Sequence, residues 1–189
     1  MCGIIGYIGE ENSRDYLISG LERLEYRGYD SAGILVFDGN RMKYEKAKGR
    51  LDCLKERIKG KDLDGAMGIG HTRWATHGAV TDENAHPHLS EKGMFAVVHN
   101  GIIENCEELK QQLISEGVSF KSETDTEVIA QLLEKYYSGS LINAVSRTCE
   151  QLEGSFALGI VCKECPDKLI CVRRASPLII GKGEACHFI

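Results

Sequence analysis

The sequence has no excess of basic residues, no long apolar run and no charged leader. Lys and Arg number 23 against 28 Asp and Glu, which gives a formal net charge of −5. A nucleic-acid-binding surface needs an excess of basic residues to neutralise phosphates, so the composition argues against a nucleic-acid-binding protein. No apolar run approaches the roughly 18 residues of a membrane span, and the N-terminus lacks the basic flank and apolar segment of a secretory signal. These absences predict no nucleic-acid partner, no membrane association and a cytoplasmic location.

Cysteine occurs at eight scattered positions, but the pattern is not that of a disulfide framework. Small secreted domains need such crosslinks, whereas a chain of 189 residues can build a full apolar core without them. Apolar residues make up 42% and charged residues 27%, as in ordinary folded domains. We therefore expect reduced thiols and one domain over residues 1–189. Because the chain stops in mid-strand on Phe188-Ile189, we expect it to be the N-terminal piece of a longer polypeptide.

Signatures of cofactor and metal sites are missing as well. Residues 3–9 contain G-x-x-G-x-x-G rather than the G-x-G-x-x-G of dinucleotide-binding folds, and no P-loop or G-x-S-x-G is present. Cys162 and Cys165 form one C-x-x-C with no second pair, which favours a turn between strands over zinc. The six histidines match no helical H-x-x-x-H spacing. The sequence predicts neither a metal nor a cofactor.

Hydrophobic periodicity predicts strands first, helices in the middle and strands last. The expected strands cover residues 4–8, 32–37, 41–47, 67–74, 95–100, 155–162, 168–173, 178–181 and 186–189. One expected helix follows a cap at Ser13, and a short second helix contains Leu51, Leu54 and Ile58. Three more cover residues 105–116, 124–137 and 140–152. Asn105 and Glu108 have the spacing of a capping box. This segregation favours an α+β fold with antiparallel sheets over a βαβ fold.

Cys2 is the first candidate for chemistry. A cysteine in an apolar strand is often simply a buried residue. Removal of Met1, however, would leave Cys2 with both a thiol and a free α-amine, whose ordinary pKa values are about 8.5 and about 7.7–8.0. An amine with that pKa is partly neutral near pH 7 and can take the proton of the thiol. Cys2 is therefore a candidate nucleophile that needs no separate histidine.

The second candidate is the segment HTRWATHG at residues 71–78, which enters a long loop without periodicity. It combines a guanidinium, an indole, two hydroxyls and two imidazoles within eight residues. The planar fork of Arg73 suits a carboxylate ligand. The alternative interpretation is an exposed strand end, where Trp74 only covers the core.

Two further polar segments have both a functional and a structural interpretation. The amide of Asn100 and the N–H of Gly101 could point at one developing oxyanion, although Asn-Gly is also typical of a type I′ hairpin turn. Asp125 could accept a substrate ammonium group, or could merely cap a helix and suit its dipole. Taken alone, each segment favours the structural interpretation.

Five motifs occur in order along the chain: CGI at residues 2–4, LEYRGYDSAG at 24–33, HTRWATHG at 71–78, VHNGIIEN at 98–105 and SETDTE at 122–127. Together they closely resemble the glutaminase domains of the glucosamine-6-phosphate synthase family, within the class II glutamine amidotransferases. The resemblance runs from residue 2 to the end of the chain. It implies the N-terminal-nucleophile hydrolase fold, a four-layer αββα sandwich of two antiparallel sheets.

The resemblance also implies which residues perform the chemistry. Cys2 would be the nucleophile, with its own α-amine as the general base. Asn100 and Gly101 would form the oxyanion hole. Arg27 and Tyr29 would line the pocket near the nucleophile.

The remaining candidates would bind the substrate. Arg73 would hold the α-carboxylate of glutamine, helped by Thr76 and His77. Asp125 would hold the α-ammonium group. Trp74 would belong to a mobile loop that closes over the site and gates the passage of ammonia.

The implied activity is hydrolysis of L-glutamine to glutamate and ammonia. In the family, the ammonia serves a synthase domain that converts fructose 6-phosphate to glucosamine 6-phosphate in hexosamine biosynthesis. That domain is missing here, so this sequence alone would be a glutaminase, and the full-length protein would be a homodimer. Two alternatives remain open: the domain of another class II amidotransferase, or a glutamine-binding regulatory module without catalysis.

Overall fold

The computed structural model describes residues 2–75 and 78–189, so that Met1, Thr76 and His77 lie outside the described chain. The strands in these ranges are β1 Gly3–Gly9, β2 Ser31–Phe37, β3 Met42–Lys48, β4 Met67–Arg73, β5 His88–Leu89, β6 Phe95–Ile103, β7 Gly154–Cys162, β8 Leu169–Arg174, β9 Gly181–Lys182 and β10 Cys186–Phe188. The helices are α1 Ser13–Leu24, α2 Leu51–Ile58, α3 Cys106–Ser115, α4 Asp125–Tyr136 and α5 Leu141–Gln151, with a 3-10 turn at Glu25–Arg27. None of these helices combines the length and the apolar character that a membrane crossing requires.

The strands form two sheets in which neighbouring strands run antiparallel. The first sheet has the order β3-β2-β4-β1-β10-β9, and the second has the order β5-β6-β7-β8. The hairpin between β2 and β3 turns at Asp38, whose carboxylate accepts the N–H groups of Asn40 and Arg41. The antiparallel α+β prediction is therefore confirmed.

The two-residue alternation of the strands sorts apolar side chains onto the two faces of each sheet. In β2, Ile34 and Val36 pack against α1 and α2, whereas Leu35 and Phe37 face the second sheet. The outer face of the second sheet packs against α3, α4 and α5, with Phe95 among its buried side chains. The layer order is helices, sheet, sheet, helices, which confirms the four-layer sandwich.

The same alternation brings polar side chains to one end of the layer between the sheets. In β4, the positions that face the second sheet continue from the buried Ile69 to His71 and Arg73. In β6, the positions that face the first sheet continue from Val98 to Asn100. Strand register alone therefore collects several candidate residues in one place.

Strand β6 extends beyond the predicted strand, which ends at Asn100. Asn100 and Gly101 pair with Ala157 and Phe156 of β7, so the hairpin-turn interpretation is wrong. Gly101 has a φ of +130°, and a Cβ there would lie 2.0 Å from the carbonyl oxygen of Ser155. The close approach of β7 and this backbone conformation both require glycine.

Two smaller expectations are also wrong. The strand expected at residues 178–181 is replaced by the two-residue strand β9. Asn105 precedes α3 but makes no capping-box hydrogen bond. Its side chain instead accepts the N–H of Glu153 at 3.0 Å and donates to the carbonyl oxygen of Gln151 at 2.8 Å. Asn105 therefore ties the start of α3 to the connection between α5 and β7.

Strand β2 packs so closely against the segment before β5 that a side chain at Gly33 has no room. A Cβ at Gly33 would lie 2.1 Å from the carbonyl oxygen of His86. We expect Gly33→Ala to lower the free energy of unfolding by about 2 kcal/mol or more, because backbone must shift to relieve the overlap. Urea unfolding followed by circular dichroism measures this change.

Gly181→Ala is the matched control, because a Cβ there meets only Phe188, at an ordinary 3.7 Å. This variant should stay within about 0.5 kcal/mol of the parent chain. Equal unfolding midpoints for the parent and Gly33→Ala would contradict the close packing at this position.

Candidate active site

Cys2 lies beside the end of β4, because β1 and β4 are paired. Gly3 is opposite Thr72 in this ladder, so Cys2 and Arg73 are the next neighbours along the two strands. The N–H of Trp74 donates to Cys2 Sγ at 3.2 Å, and the thiol reaches the carbonyl oxygen of Trp74 at 3.5 Å. The backbone that follows β4 therefore fixes the position of the thiol.

The environment of Cys2 favours a neutral thiol at rest. Burial raises the pKa of the Cys2 thiol above its ordinary value, while the hydrogen bond donated by the Trp74 N–H lowers it. The carboxylate of Asp30 adds to the rise, and the guanidinium of Arg73 opposes it. Because a neutral thiol is a weak nucleophile, this cysteine needs a base at the moment of attack.

The side chain of Asn100 lies directly beside Cys2. Asn100 Nδ2 donates to the carbonyl oxygen of Cys2 at 3.2 Å, and Asn100 Oδ1 lies 2.8 Å from His71 Nε2. Gly101 lines the same cavity as Cys2. The three residues predicted to be catalytic therefore lie together, and the oxyanion hole of Asn100 Nδ2–H and Gly101 N–H stays a prediction.

Arg73 and Asp125 are buried charged residues that line the same cavity as Cys2. The guanidinium of Arg73 donates to the carbonyl oxygens of Ala79 and Gly78 at 3.2 and 3.4 Å. Asp125 Oδ2 accepts the N–H of Ile103 at 3.1 Å. A guanidinium and a carboxylate around one small cavity can hold the two charged ends of an amino acid.

Trp74 forms the rim of this cavity and is 46% exposed. The ring of Tyr29 packs edge-on against it with 5.1 Å between centroids, and the guanidinium of Arg50 lies 5.6 Å from the Tyr29 ring. Arg27 is half-buried in the 3-10 turn. Tyr29 therefore adjoins the site through Trp74, and direct contact of Arg27 and Tyr29 with a substrate stays a prediction.

Two acidic side chains anchor the loop that follows β4. The N–H of Ala75 donates to Asp30 Oδ2. Glu123 Oε2 accepts the Asn84 amide at 3.0 Å. Two further residues of this loop, predicted to help bind the substrate carboxylate, lie outside the described residues: Thr76 and His77.

The cavity beside Cys2 has a volume of about 30 Å³. That is room for about one water molecule, so a larger ligand requires a shift of the residues that line the cavity. Two cavities of about 530 and 540 Å³ lie elsewhere, one beside Lys46 and one beside Ile180. We assign the site to the small cavity because it alone of the three is lined by both Cys2 and Gly101, two of the residues predicted to be catalytic.

Behind Asn100 lies a buried imidazole cluster formed by His71, His86, His88 and His99. The rings of His71 and His86 stack 4.0 Å apart, and those of His86 and His88 meet edge-on at 4.8 Å. Burial lowers the pKa of His71 to about 3 and holds the pKa values of His86 and His88 well below the ordinary range. These three rings are therefore neutral near pH 7. Within residues 2–75 and 78–189, no group of three or more His, Cys, Asp and Glu side chains is arranged to hold a metal ion.

Two threonines at the start of α4 supply partners for the imidazole cluster. Thr126 Oγ1 lies 3.0 Å from His99 Nδ1 and 3.2 Å from His86 Nε2. Thr124 Oγ1 lies 3.0 Å from His88 Nε2. The beginning of α4 is thus joined to the layer between the sheets by side-chain hydrogen bonds.

Sequence reasoning missed this network, since it considered the histidines only as weak metal candidates. One signal was available: His71 precedes Arg73 by two residues in a strand, so both side chains share a face. The role of Asp30 in holding the backbone of Ala75 was also missed. No local pattern reveals it, because the two residues are 45 positions apart.

Comparison with known proteins adds the family. A model of the glutamine amidotransferase domain matches residues 71–188. The chain belongs to this family. Along its whole length it is 53% identical to a glutamine–fructose-6-phosphate aminotransferase of Caldanaerobacter subterraneus and 54% identical to one of Aquifex aeolicus. It spans 31% and 32% of the length of these two relatives.

A solved structure supports the same assignment for the amidotransferase domain. The glutamine phosphoribosylpyrophosphate amidotransferase of B. subtilis superposes with a TM-score of 0.87 at 28% identity, covering 100% of this chain and 41% of that one. A glutamine aminotransferase class-II domain protein from Silicibacter pomeroyi shares the fold, with a TM-score of 0.66 at 13% identity. The superposition covers 100% of this chain and 87% of that one. The N-terminal-nucleophile fold that the motifs implied is therefore confirmed.

The neutral imidazole cluster makes the amidotransferase domain sensitive to acid. In the unfolded chain each histidine binds a proton near pH 6.5, whereas folded His71, His86 and His88 bind one only at lower pH. Their contribution to stability is complete above about pH 6.5 and is lost as the pH falls below it. Between pH 7.5 and 5.5 we expect the free energy of unfolding to fall by about 1.4 kcal/mol per histidine, or about 4 kcal/mol for the three.

Urea unfolding at several pH values measures this slope. His88→Gln removes one titrating group, so its free energy of unfolding should fall by about 1.4 kcal/mol less over the same interval. A free energy of unfolding that does not change from pH 7.5 to 5.5 would contradict the neutral, buried state of these rings.

Proposed function

We propose that this chain hydrolyses L-glutamine to glutamate and ammonia, with Cys2 as the nucleophile. The observation that supports this most directly is the hydrogen bond from Asn100 Nδ2 to the Cys2 carbonyl oxygen, at 3.2 Å. It sets an amide donor beside the residue that carries the thiol, and Gly101 lines the same cavity. A thiol beside two N–H donors is suited to acyl transfer through a covalent intermediate.

Attack begins at the neutral Cys2 thiol. Its proton passes to the α-amine of Cys2, which is free once Met1 is removed, while the sulfur bonds to the γ-carboxamide carbon. The former carbonyl oxygen becomes an oxyanion, which Asn100 Nδ2–H and Gly101 N–H stabilise. The C–N bond then breaks, and the protonated amine gives its proton to the departing ammonia. Water hydrolyses the γ-glutamyl thioester, which releases glutamate and restores the thiol.

Buried charges orient the substrate for this attack. Arg73 holds the α-carboxylate of glutamine, with Thr76 and His77 as further contacts, and Asp125 holds the α-ammonium group. Both charged residues line the cavity next to Cys2. Fixing the two charged ends of glutamine directs its side chain toward the sulfur.

Trp74 covers the entrance to the site. Its indole is supported by the edge of the Tyr29 ring, and Arg27 completes the wall near Cys2. Closure of this cover over glutamine excludes water from the thioester while ammonia departs.

The ammonia serves the conversion of fructose 6-phosphate to glucosamine 6-phosphate. This acceptor is supported by 53% and 54% identity to glutamine–fructose-6-phosphate aminotransferases, against 28% to the phosphoribosylpyrophosphate enzyme. The chain spans 31% of such a relative, so the acceptor reaction belongs to a synthase domain of a longer protein. We expect that protein to be a cytoplasmic homodimer of hexosamine biosynthesis.

Substitution of Asn100 tests the mechanism. Removing one oxyanion donor typically costs about 2.7–4 kcal/mol of barrier, so Asn100→Ala should slow glutamate release by about two to three orders of magnitude. The KM for glutamine should change little, because the donor acts on charge that develops in the transition state. Glutamate release by the purified chain, freed of Met1, measures both constants.

Asn143→Ala is the matched control, because Asn143 is exposed on α5 and away from the cavity. It should keep the parent rate. Near-parental hydrolysis by Asn100→Ala would contradict the assigned oxyanion hole. Glutamine binding by the parent chain without ammonia release would instead favour a regulatory binding module.

A further inference from the structure

We propose that His71 is the positioning residue of the oxyanion hole and that its ring fixes the direction in which the Asn100 amide donates. The inference rests on the proposed function, in which Asn100 stabilises the oxyanion. His71 acts through Asn100, and no proton transfer to the substrate is assigned to it.

The contact joins the two sheets of the sandwich. His71 belongs to β4 of the first sheet and Asn100 to β6 of the second. His71 Nε2 and Asn100 Oδ1 are 2.8 Å apart, the distance of a well-formed hydrogen bond. His71 is 1% exposed, so water does not compete for this bond.

The neighbours of Asn100 determine which way its amide group faces. On one side lies the carbonyl oxygen of Cys2, which can only accept, so the NH2 group of Asn100 must face it. The amide oxygen then faces His71 and can only accept as well. The His71 ring must therefore donate from Nε2. Burial lowers the pKa of His71 to about 3, so the ring is neutral near pH 7, and the contact with Asn100 Oδ1 places its one proton on Nε2.

The ring of His71 is itself held from behind. It stacks on the ring of His86 with 4.0 Å between centroids and 29° between planes. His86 Nε2 lies 3.2 Å from Thr126 Oγ1, at the start of α4. The donor that faces Asn100 is thus supported by a second buried ring rather than by a flexible side chain.

Loss of this donor should affect the transition state more than substrate binding. Without a partner on Oδ1, the Asn100 amide is held only by its bond to the Cys2 carbonyl oxygen and can tilt away from the direction in which it donates to the developing oxyanion. Arg73 and Asp125, which would hold the substrate, are bonded to the backbone of other residues, at Ala79 and Ile103. A fall in kcat with a nearly constant KM for glutamine is therefore the expected signature.

Three substitutions separate the donor from the bulk of the ring. His71→Gln can place an amide N–H near the former Nε2, whereas His71→Met has similar length and no donor. His71→Asn is polar but too short to reach Asn100 Oδ1. We expect His71→Met and His71→Asn to lower kcat by about 10- to 100-fold, which is less than the effect of losing the Asn100 amide itself. The kcat of His71→Gln should stay within about 3-fold of the parent value.

A double-mutant cycle with Asn100→Ala provides the decisive comparison. If His71 acts through Asn100, His71→Met should lower kcat by less than about 2-fold when Asn100 is already replaced by Ala. His88→Met removes another ring of the imidazole cluster, one that bonds Thr124 instead. His88→Met should therefore change kcat by the same factor in the parent chain and in the Asn100→Ala chain.

Circular dichroism verifies that each variant is folded, and alkylation of Cys2 by iodoacetamide, which needs no oxyanion hole, verifies that its thiol remains reactive. If His71→Met does not fold, the comparison of His71→Asn with His71→Gln decides the question. The proposal would be overturned if His71→Met lowered kcat by the same factor in the parent and in the Asn100→Ala background. Equal kcat values for His71→Asn and His71→Gln would overturn it as well. A parent chain that hydrolyses no glutamine would refute the proposed function instead, so the two failures are distinguishable.

Discussion

Gly3 of β1 pairs with Thr72 of β4, and the candidate site depends on this antiparallel register. It sets Cys2 beside Arg73 and leaves the sulfur within reach of the Trp74 N–H. A slip of one residue would turn Cys2 to the opposite face of the sheet, away from the second sheet and Asn100. Close packing protects the register, because a Cβ at Gly3 would lie 2.8 Å from Leu24 Cβ at the end of α1.

The end of the layer between the sheets buries more polar groups than an ordinary core. Polar groups lower stability when buried unless they form hydrogen bonds. Here His71 bonds Asn100, Arg73 bonds backbone carbonyls, and Asp125 bonds the N–H of Ile103. The same burial keeps the imidazoles neutral and the thiol protonated. The packing therefore holds donors in fixed directions, and donors that need not reorganise are the ones that stabilise a developing charge best.

Fold class and most elements could be predicted from the sequence, because they follow from local periodicity and turn residues. The β2–β3 hairpin is an example, since Asp38 and the next two residues are a strong turn signal. Asn100-Gly101 carries an equally strong turn signal and is nevertheless mid-strand, because pairing with β7 decides its conformation. Asn105 likewise has a capping-box spacing but bonds residues almost fifty positions away. Contacts between distant segments override local signals in both cases.

The site itself could be predicted in part. The motifs located Cys2, Arg73 and Asp125, whereas the resemblance to amidotransferases supplied their roles. The imidazole cluster could not be derived, since its bonds link residues 13 to 40 positions apart along the chain. Only the shared face of His71 and Arg73 in one strand is visible to periodicity.

The central claim is that Cys2 attacks glutamine. It is tested most directly by the intact mass of the chain before and after exposure to an electrophilic glutamine analogue, followed by peptide mapping. The account predicts a chain without Met1 that gains one adduct, on Cys2, with excess glutamine preventing the reaction and Cys2→Ser remaining unlabelled. A processed chain whose Cys2 stays unlabelled, or an adduct on another of the eight cysteines that glutamine does not prevent, would contradict it.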